Sequence, residues 1–130
     1  MRQRVYPLLG FRAGFEELAK IGDAILNLSY SLALSRAAGR VTGRKVPNAV
    51  LAEAVQLAGL RAHARRGTRH SLGDFAESLV AEAVLLGRLS IEECVDVLER
   101  AMRREVSEAE AFAALLRRSW EAVRGGQVPL

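Results

Sequence analysis

The sequence predicts an all-α fold, and three observations support this. Good helix formers dominate the 130 residues, with 21 Ala and 19 Leu, whereas Ile and Thr occur only 3 and 2 times. Apolar residues recur at the three- and four-residue spacing of amphipathic helices. Hydrophobic residues make up 50% of the chain, which is enough to bury a core without staples. We therefore expect one helical domain over residues 1–130.

Five helices are expected, each with local signals at its ends. The first runs over residues 15–38, and Gly39 ends it as a C-cap. The second opens at Pro47 and Asn48, and Gly59 weakens its end. The apolar run at residues 79–87 predicts a third helix that is buried on most sides. Capping-box spacings are expected to begin the last three helices, at Ser71 with Asp74, Ser90 with Glu93, and Ser107 with Glu110.

The charge balance favours a polyanionic partner. The net charge is +4, and the basic side chains are 17 Arg and 2 Lys. The planar fork of Arg suits phosphate, although a GC-rich genome or a hot habitat would also enrich Arg. The single cysteine, Cys94, excludes a disulfide framework and a multi-cysteine zinc site. We expect a cytoplasmic protein without a membrane partner, because no apolar run is long enough to span a bilayer.

Two consecutive residues break the helical pattern of the first helix. Gly22 costs about 1 kcal/mol in a helix interior, and Asp23 places a short carboxylate among apolar residues. Such departures mark functional or close-packed sites. The alternative is a helix crossing at Gly22 with Asp23 paired to an arginine. Asn27, one turn later, could hold a metal-bound water or hydrogen-bond to a neighbouring helix.

A second pair of carboxylates begins the buried third helix. Asp74 and Glu77 are three residues apart, so they share a helix face. Carboxylate oxygens suit hard cations such as Mg²⁺ or Mn²⁺. The alternative is that Asp74 caps the helix while Glu77 is solvated.

Three segments in order resemble the ribonuclease III endonuclease domain. Residues 16–26 read EELAKIGDAIL, similar to the family's first signature, ERLEFLGDAVL. Residues 46–52, VPNAVLA, resemble its VSNxxLA turn into a helix, and residues 74–82, DFAESLVAE, are similar to its second signature, DAFEALIGA. The resemblance covers about residues 15–88 and leaves 90–124 as C-terminal helices. It implies the helical bundle of that family.

The resemblance assigns three carboxylates as catalytic and metal-binding residues: Asp23, Asp74 and Glu77. We expect the first and third helices to adjoin and to bring these carboxylates into one cluster that faces solvent. The implied cofactor is Mg²⁺ or Mn²⁺. Glu16 matches the first Glu of the signature, but Ala19 stands where the family has a second Glu, and Glu82 replaces a small residue. The short Mini-III branch also lacks an acid at the Ala19 position. Mini-III proteins further lack the C-terminal double-stranded RNA-binding domain, for which this chain has no room.

These observations predict a Mg²⁺-dependent endoribonuclease that hydrolyses phosphodiester bonds of structured or double-stranded RNA. The reaction needs a water nucleophile and neutralisation of phosphate charge, and a carboxylate-held cation supplies both. Duplex RNA is recognised through its shape and its phosphates. The expected RNA-binding residues lie in two basic segments: Arg44 and Lys45, and Arg65, Arg66 and Arg69. We expect His63 and His70 to be RNA contacts or ordinary loop residues, and Cys94 to be buried.

The resemblance also implies a homodimer that pairs through the first signature helix. Its apolar interface is expected to include Phe15, Leu18 and Ile21. One carboxylate cluster per protomer can cut one strand, so two-fold pairing lets two clusters address both strands of a duplex.

The sequence is also compatible with two other functions. The chain could be a catalytically inactive ribonuclease III-like protein that binds double-stranded RNA or associates with the ribosome, as Ala19 and Glu82 suggest. It could also be a helical nucleotide pyrophosphohydrolase, although the dense Glu and Asp array of those enzymes is missing.

Overall fold

The computed structural model describes residues 3–65 and 67–125, and it confirms the all-α fold. The strands are β1 (Gln3–Tyr6) and β2 (Phe11–Gly14), and 3-10 turns span Phe15–Leu18 and Arg61–His63. The helices are α1 (Ala19–Ala38), α2 (Asn48–Leu57), α3 (Arg69–Leu85), α4 (Ile91–Arg103) and α5 (Glu108–Gly125).

Helix α3 is the centre of the bundle, in contact with α1, α2 and α5. Every residue from 72 to 85 is buried except Asp74. The prediction of a third helix buried on most sides is therefore confirmed. Helix α4 packs against α1 and α5 and completes the bundle.

The crossing of α1 over α3 is unusually close at Gly22. A Cβ atom on Gly22 would lie 2.7 Å from the Glu77 Cα atom and closer still to the Glu77 carbonyl group. Real Cβ atoms do not approach backbone this closely, so only glycine fits. The helix crossing expected at Gly22 is present, and it positions Asp23 beside α3.

The start of α3 differs from its prediction. The helix begins at Arg69, and the Thr68 side chain accepts a hydrogen bond from the Ser71 backbone N–H at 3.2 Å. The expected capping box of Ser71 with Asp74 is therefore wrong, because Thr68 already occupies the cap and places Ser71 in the first turn.

The other two expected caps are at the starts of α4 and α5. Ser90 and Glu93 each accept from the other's backbone N–H, at 3.0 and 2.9 Å, which confirms that capping box. Ser107 accepts from the Glu110 N–H at 3.1 Å. The N-cap role of Ser107 is therefore confirmed as well.

The N-terminal hairpin was absent from the sequence prediction. Strands β1 and β2 pair in antiparallel register, and Gly10 supplies the positive φ of 79° that their turn needs. The Tyr6 hydroxyl donates to Glu82 at 2.8 Å, and Arg4 lies 3.6 Å from the same carboxylate. Burial and the adjacent Glu82 raise the pKa of Tyr6 above its usual value. Glu82 thus anchors the hairpin on α3.

The environment of Cys94 confirms that it is buried. Its side chain has no exposed surface, and burial raises the pKa of the thiol to about 11. A thiol with such a pKa is protonated at neutral pH, so it is a packing residue rather than a nucleophile.

None of the helices in the described ranges combines the length and the apolar character that crossing a bilayer requires.

The close crossing predicts a large cost for a single methyl group. Gly22→Ala should lower the free energy of unfolding by about 2 kcal/mol or more, because the overlap with Glu77 exceeds the gain of about 1 kcal/mol in helix propensity. The matched control is Gly43→Ala, since Gly43 has open space around it and no positive φ. Urea unfolding that finds both variants equally stable would contradict the close contact.

Candidate functional site

The Asp23 and Glu77 carboxylates meet where α1 crosses α3. Asp23 is exposed on α1, whereas the Glu77 residue on α3 is only 8% exposed. The two side chains are close enough to share a hydrogen bond. The contact depends on Gly22, because its missing side chain allows the two backbones to approach.

Glu77 sits in an environment that opposes its negative charge. Burial, then the hydrogen bond and charge of Asp23, and then the charge of Asp74 together raise the pKa of Glu77 to about 8. Every influence on Glu77 acts in the same direction, so no basic side chain in the described ranges compensates it. In the absence of a cation, this raised pKa favours the protonated form of Glu77 at neutral pH.

Asp74 lies at the edge of this pair. Its charge reaches Glu77, and its own carboxylate lies 3.3 Å from His70 Nε2, one turn earlier in α3. The expectation that the first and third helices adjoin is confirmed. The expectation that all three carboxylates face solvent is wrong for Glu77, because the close crossing with α1 covers it.

Asn27 is engaged at both ends of its side-chain amide. Its Oδ1 accepts from the Val46 N–H at 2.8 Å, and its Nδ2 donates to Asp23 Oδ1 at 3.3 Å. The partner is thus the segment between α1 and α2 together with Asp23, rather than a neighbouring helix. A stripe of polar residues at four-residue spacing, with Ser31 and Ser35 after Asn27, was the sequence signal for this contact, and it was missed.

The donor set suits a hard divalent cation. Two adjacent carboxylates with a third close by offer oxygen ligands. Burial raises the pKa of Glu77 first, and then the neighbouring Asp23 and Asp74 raise it further with negative charge that a cation would neutralise. Within residues 3–65 and 67–125, no three His, Cys, Asp or Glu side chains are already arranged as a complete metal site.

The expected RNA-binding residues lie in two segments of the chain. Arg44 and Lys45 are exposed in the extended segment after α1, and Arg69 is exposed in the first turn of α3. Arg65 is exposed but forms an ion pair with Glu16 at 2.9 Å, so its charge is partly neutralised within the protein. Arg66 lies outside the described residues.

The two histidines have different neighbours, and neither belongs to a zinc site among the described residues. His70 is a helical residue that pairs with Asp74 rather than a loop residue. The His63 ring stacks on Trp120 with centroids 4.3 Å apart, and the Arg124 guanidinium lies 5.1 Å from the same tryptophan ring. The sequence had no signal for this stack, because it joins residues 57 positions apart.

Comparison with known protein families gives a match. A family model described as Ribonuclease III matches residues 16–121, which is most of the chain. No curated protein sequence matches. The matched range includes Asp23, Asp74 and Glu77.

The raised pKa of Glu77 predicts a specific pH dependence of stability. Below pH 4.5 the carboxyl is protonated in both the folded and the unfolded chain. Between pH 4.5 and pH 8 the unfolded chain loses this proton while the folded protein keeps it, so stability falls as the pH rises and the loss is complete above pH 8.

Glu77→Gln should remove this loss. Its stability advantage over the wild type should grow across that pH range and reach on the order of a few kcal/mol above it. Urea unfolding in the presence of a chelator measures the difference. A difference that does not change with pH would contradict the raised pKa.

Proposed function

Because this chain belongs to the ribonuclease III family, and hence has a ribonuclease-type function, we propose that it is a Mg²⁺-dependent endoribonuclease. It hydrolyses phosphodiester bonds of structured or double-stranded RNA and acts as a homodimer. The observation that carries the proposal is the contact of the buried Glu77 side chain with Asp23, a pair of carboxyl groups that has no basic partner among the described residues.

Asp23 and Glu77 are the residues that would hold the cation, with Asp74 as a further oxygen ligand. A divalent cation supplies acidification of the attacking water and neutralisation of phosphate charge. Asp23 is exposed, so a cation held by its carboxylate would be accessible to an incoming phosphate. Glu77 is fixed by the close contact of its backbone with Gly22. Glu77 must lose its proton to become a ligand, so activity should require a pH at which the cation can displace that proton.

Exposed basic side chains support an RNA substrate. Arg44, Lys45 and Arg69 have no ion pair within the described part of the chain, which leaves their charges free for phosphates. Recognition through phosphates does not depend on sequence, which suits a duplex substrate. Arg65 can contribute only after its contact with Glu16 is broken.

A catalytically inactive RNA-binding protein is the second candidate, and Ala19 favours it. Ala19 removes one acid that the family signature has, so fewer protein ligands surround the cation. Mg²⁺ commonly keeps several waters and is held by one or two carboxylates, so the remaining pair is sufficient in principle. Glu82 no longer favours this candidate, because its carboxylate serves Tyr6 and the hairpin.

Removal of either central carboxylate should abolish cleavage. Asp23→Asn and Glu77→Gln keep the side-chain shape but remove the charge, so we expect each to lower Mg²⁺-dependent cleavage of duplex RNA by about 100-fold or more. The control is Glu53→Gln, an exposed residue of α2. Circular dichroism should find all three variants folded. Cleavage by Asp23→Asn at the rate of the control would show that the chemistry lies elsewhere.

The basic segment after α1 should contribute to binding rather than chemistry. Replacing Arg44 and Lys45 with Ala should weaken duplex binding for all sequences and reduce the slope of log affinity against log salt by about one per lost phosphate contact. Replacing Arg100 and Arg104, which are exposed near the end of α4, is the charge-matched control. Equal slopes for the two double variants would contradict the assignment.

One of the three residues expected at the dimer interface is excluded from it. Leu18 is only 1% exposed, because the 3-10 turn before α1 directs it into the core. Phe15 and Ile21 are half-buried, and Phe15 packs on Phe75 with ring centroids 5.9 Å apart. The more exposed apolar residues of α1 are Leu28 and Leu32, which are 49% and 40% exposed and one turn apart.

The proposed dimer therefore pairs through this apolar stripe of α1. Sedimentation equilibrium at micromolar concentration should give twice the chain mass for the wild type and the monomer mass for Leu28→Lys. Leu57→Lys is the control, since Leu57 is 43% exposed at the end of α2. A wild-type monomer that still cleaves duplex RNA would contradict the dimer.

A further inference from the structure

A polar stripe on α1 binds the segment that leads to α2. Ser31 and Ser35 are one turn apart on α1. Ser35 Oγ accepts from the Thr42 N–H at 2.8 Å and donates to the Thr42 carbonyl at 3.1 Å. Ser31 forms the same pair of bonds with Arg44, at 2.8 and 3.2 Å. We call residues 42–46 the ladder segment.

Successive hydrogen bonds between the ladder segment and α1 stay aligned because the two elements advance by nearly equal distances. Four residues of an α-helix advance about 6 Å, and two residues of an extended chain advance about 6.6 Å. Each step back along α1 therefore meets the next alternate residue of the segment. The third step brings Asn27 opposite Val46, whose N–H donates to Asn27 Oδ1 at 2.8 Å.

The Val46 bond fixes the orientation of the Asn27 amide. A backbone N–H can only donate, so the amide atom that faces Val46 must be the oxygen. The Nδ2 atom is then turned along the helix towards Asp23, where it donates to Oδ1 at 3.3 Å. Asn27 thus differs from Ser31 and Ser35, since it binds both the ladder segment and a carboxylate of the candidate site.

The chain after the ladder segment reaches the other side of the site. Asn48, two residues after Val46, is the first residue of α2. The Asn48 amide lies against Gly73, where a Cβ atom would be 2.9 Å from its Oδ1 atom. Gly73 immediately precedes Asp74, so the residue that follows the ladder segment into α2 packs against α3 beside that carboxylate.

We propose that Asn27 is a positioning residue that orients the Asp23 carboxylate and locks the ladder segment, with Arg44 and Lys45, in register with it. One oxygen of Asp23, Oδ1, is held by the amide, and this fixes the orientation of the carboxylate. The proposal rests on the proposed function. It adds that the basic segment and the carboxylates form one rigid unit, joined at Asn27.

The test separates the two bonds of Asn27. Asn27→Ser gives this position the side chain that already binds the segment at Ser31 and Ser35, but it is too short to reach Asp23. The control, Ser35→Ala, removes the most distant contact and leaves Asn27 intact. Amide hydrogen exchange at Thr42, Arg44 and Val46 reports whether the segment stays bound in each variant.

Two further readouts report on Asp23. In the metal-free protein, the ¹³C resonance of the Asp23 carboxyl should shift in Asn27→Ser and stay at the wild-type position in Ser35→Ala. Calorimetric titration with Mn²⁺ should find an affinity at least about tenfold weaker for Asn27→Ser, and unchanged for Ser35→Ala.

The outcomes distinguish this proposal from the proposed function. If the wild type binds Mn²⁺ and Asn27→Ser has the same affinity and the same Asp23 resonance, the positioning role is wrong while the metal site stands. If both variants lose affinity equally, Asn27 acts only through the ladder segment and the proposal is overturned. If the wild type does not bind Mn²⁺, the proposed function fails first.

Discussion

The close approach of α1 and α3 at Gly22 is the contact on which the candidate site depends. Because Gly22 has no side chain, the backbone of α1 lies directly against the backbone of Glu77. Asp23, the next residue, then meets the Glu77 side chain, and the burial of Glu77 together with its acidic neighbours raises the pKa of Glu77 to about 8. The fold thus maintains a buried carboxyl group beside a second one, and the apolar packing of α3 against three helices offsets the cost.

The peripheral elements each stabilise one side of this crossing. The hairpin is fixed to the second half of α3 by the hydrogen bond of Tyr6 to Glu82, at a distance from the carboxylate pair along the helix. The ladder segment lies along α1 and reaches Asp23 through Asn27. The departure of Glu82 from the family signature therefore has a structural cause.

Sequence patterns revealed the central carboxylates because both lie at local breaks in helical periodicity. Gly22 and Asp23 interrupt an apolar helix, and Asp74 and Glu77 share one face of another. Periodicity indicates which residues face the same way, but not how deeply they are buried, so the burial of Glu77 and Leu18 was not predictable. The hairpin was missed because its strands have only four residues each and its anchor joins Tyr6 to a residue 76 positions away.

We expect Asp23 and Glu77 to form a cation site in which Glu77 is protonated when no cation is bound. Calorimetric titration with Mg²⁺ at neutral pH, repeated in buffers with different heats of ionisation, measures both cation binding and proton release. One cation should bind per chain with release of close to one proton, because Glu77 must ionise to become a ligand. Absence of binding, or binding without proton release, would contradict this cation site.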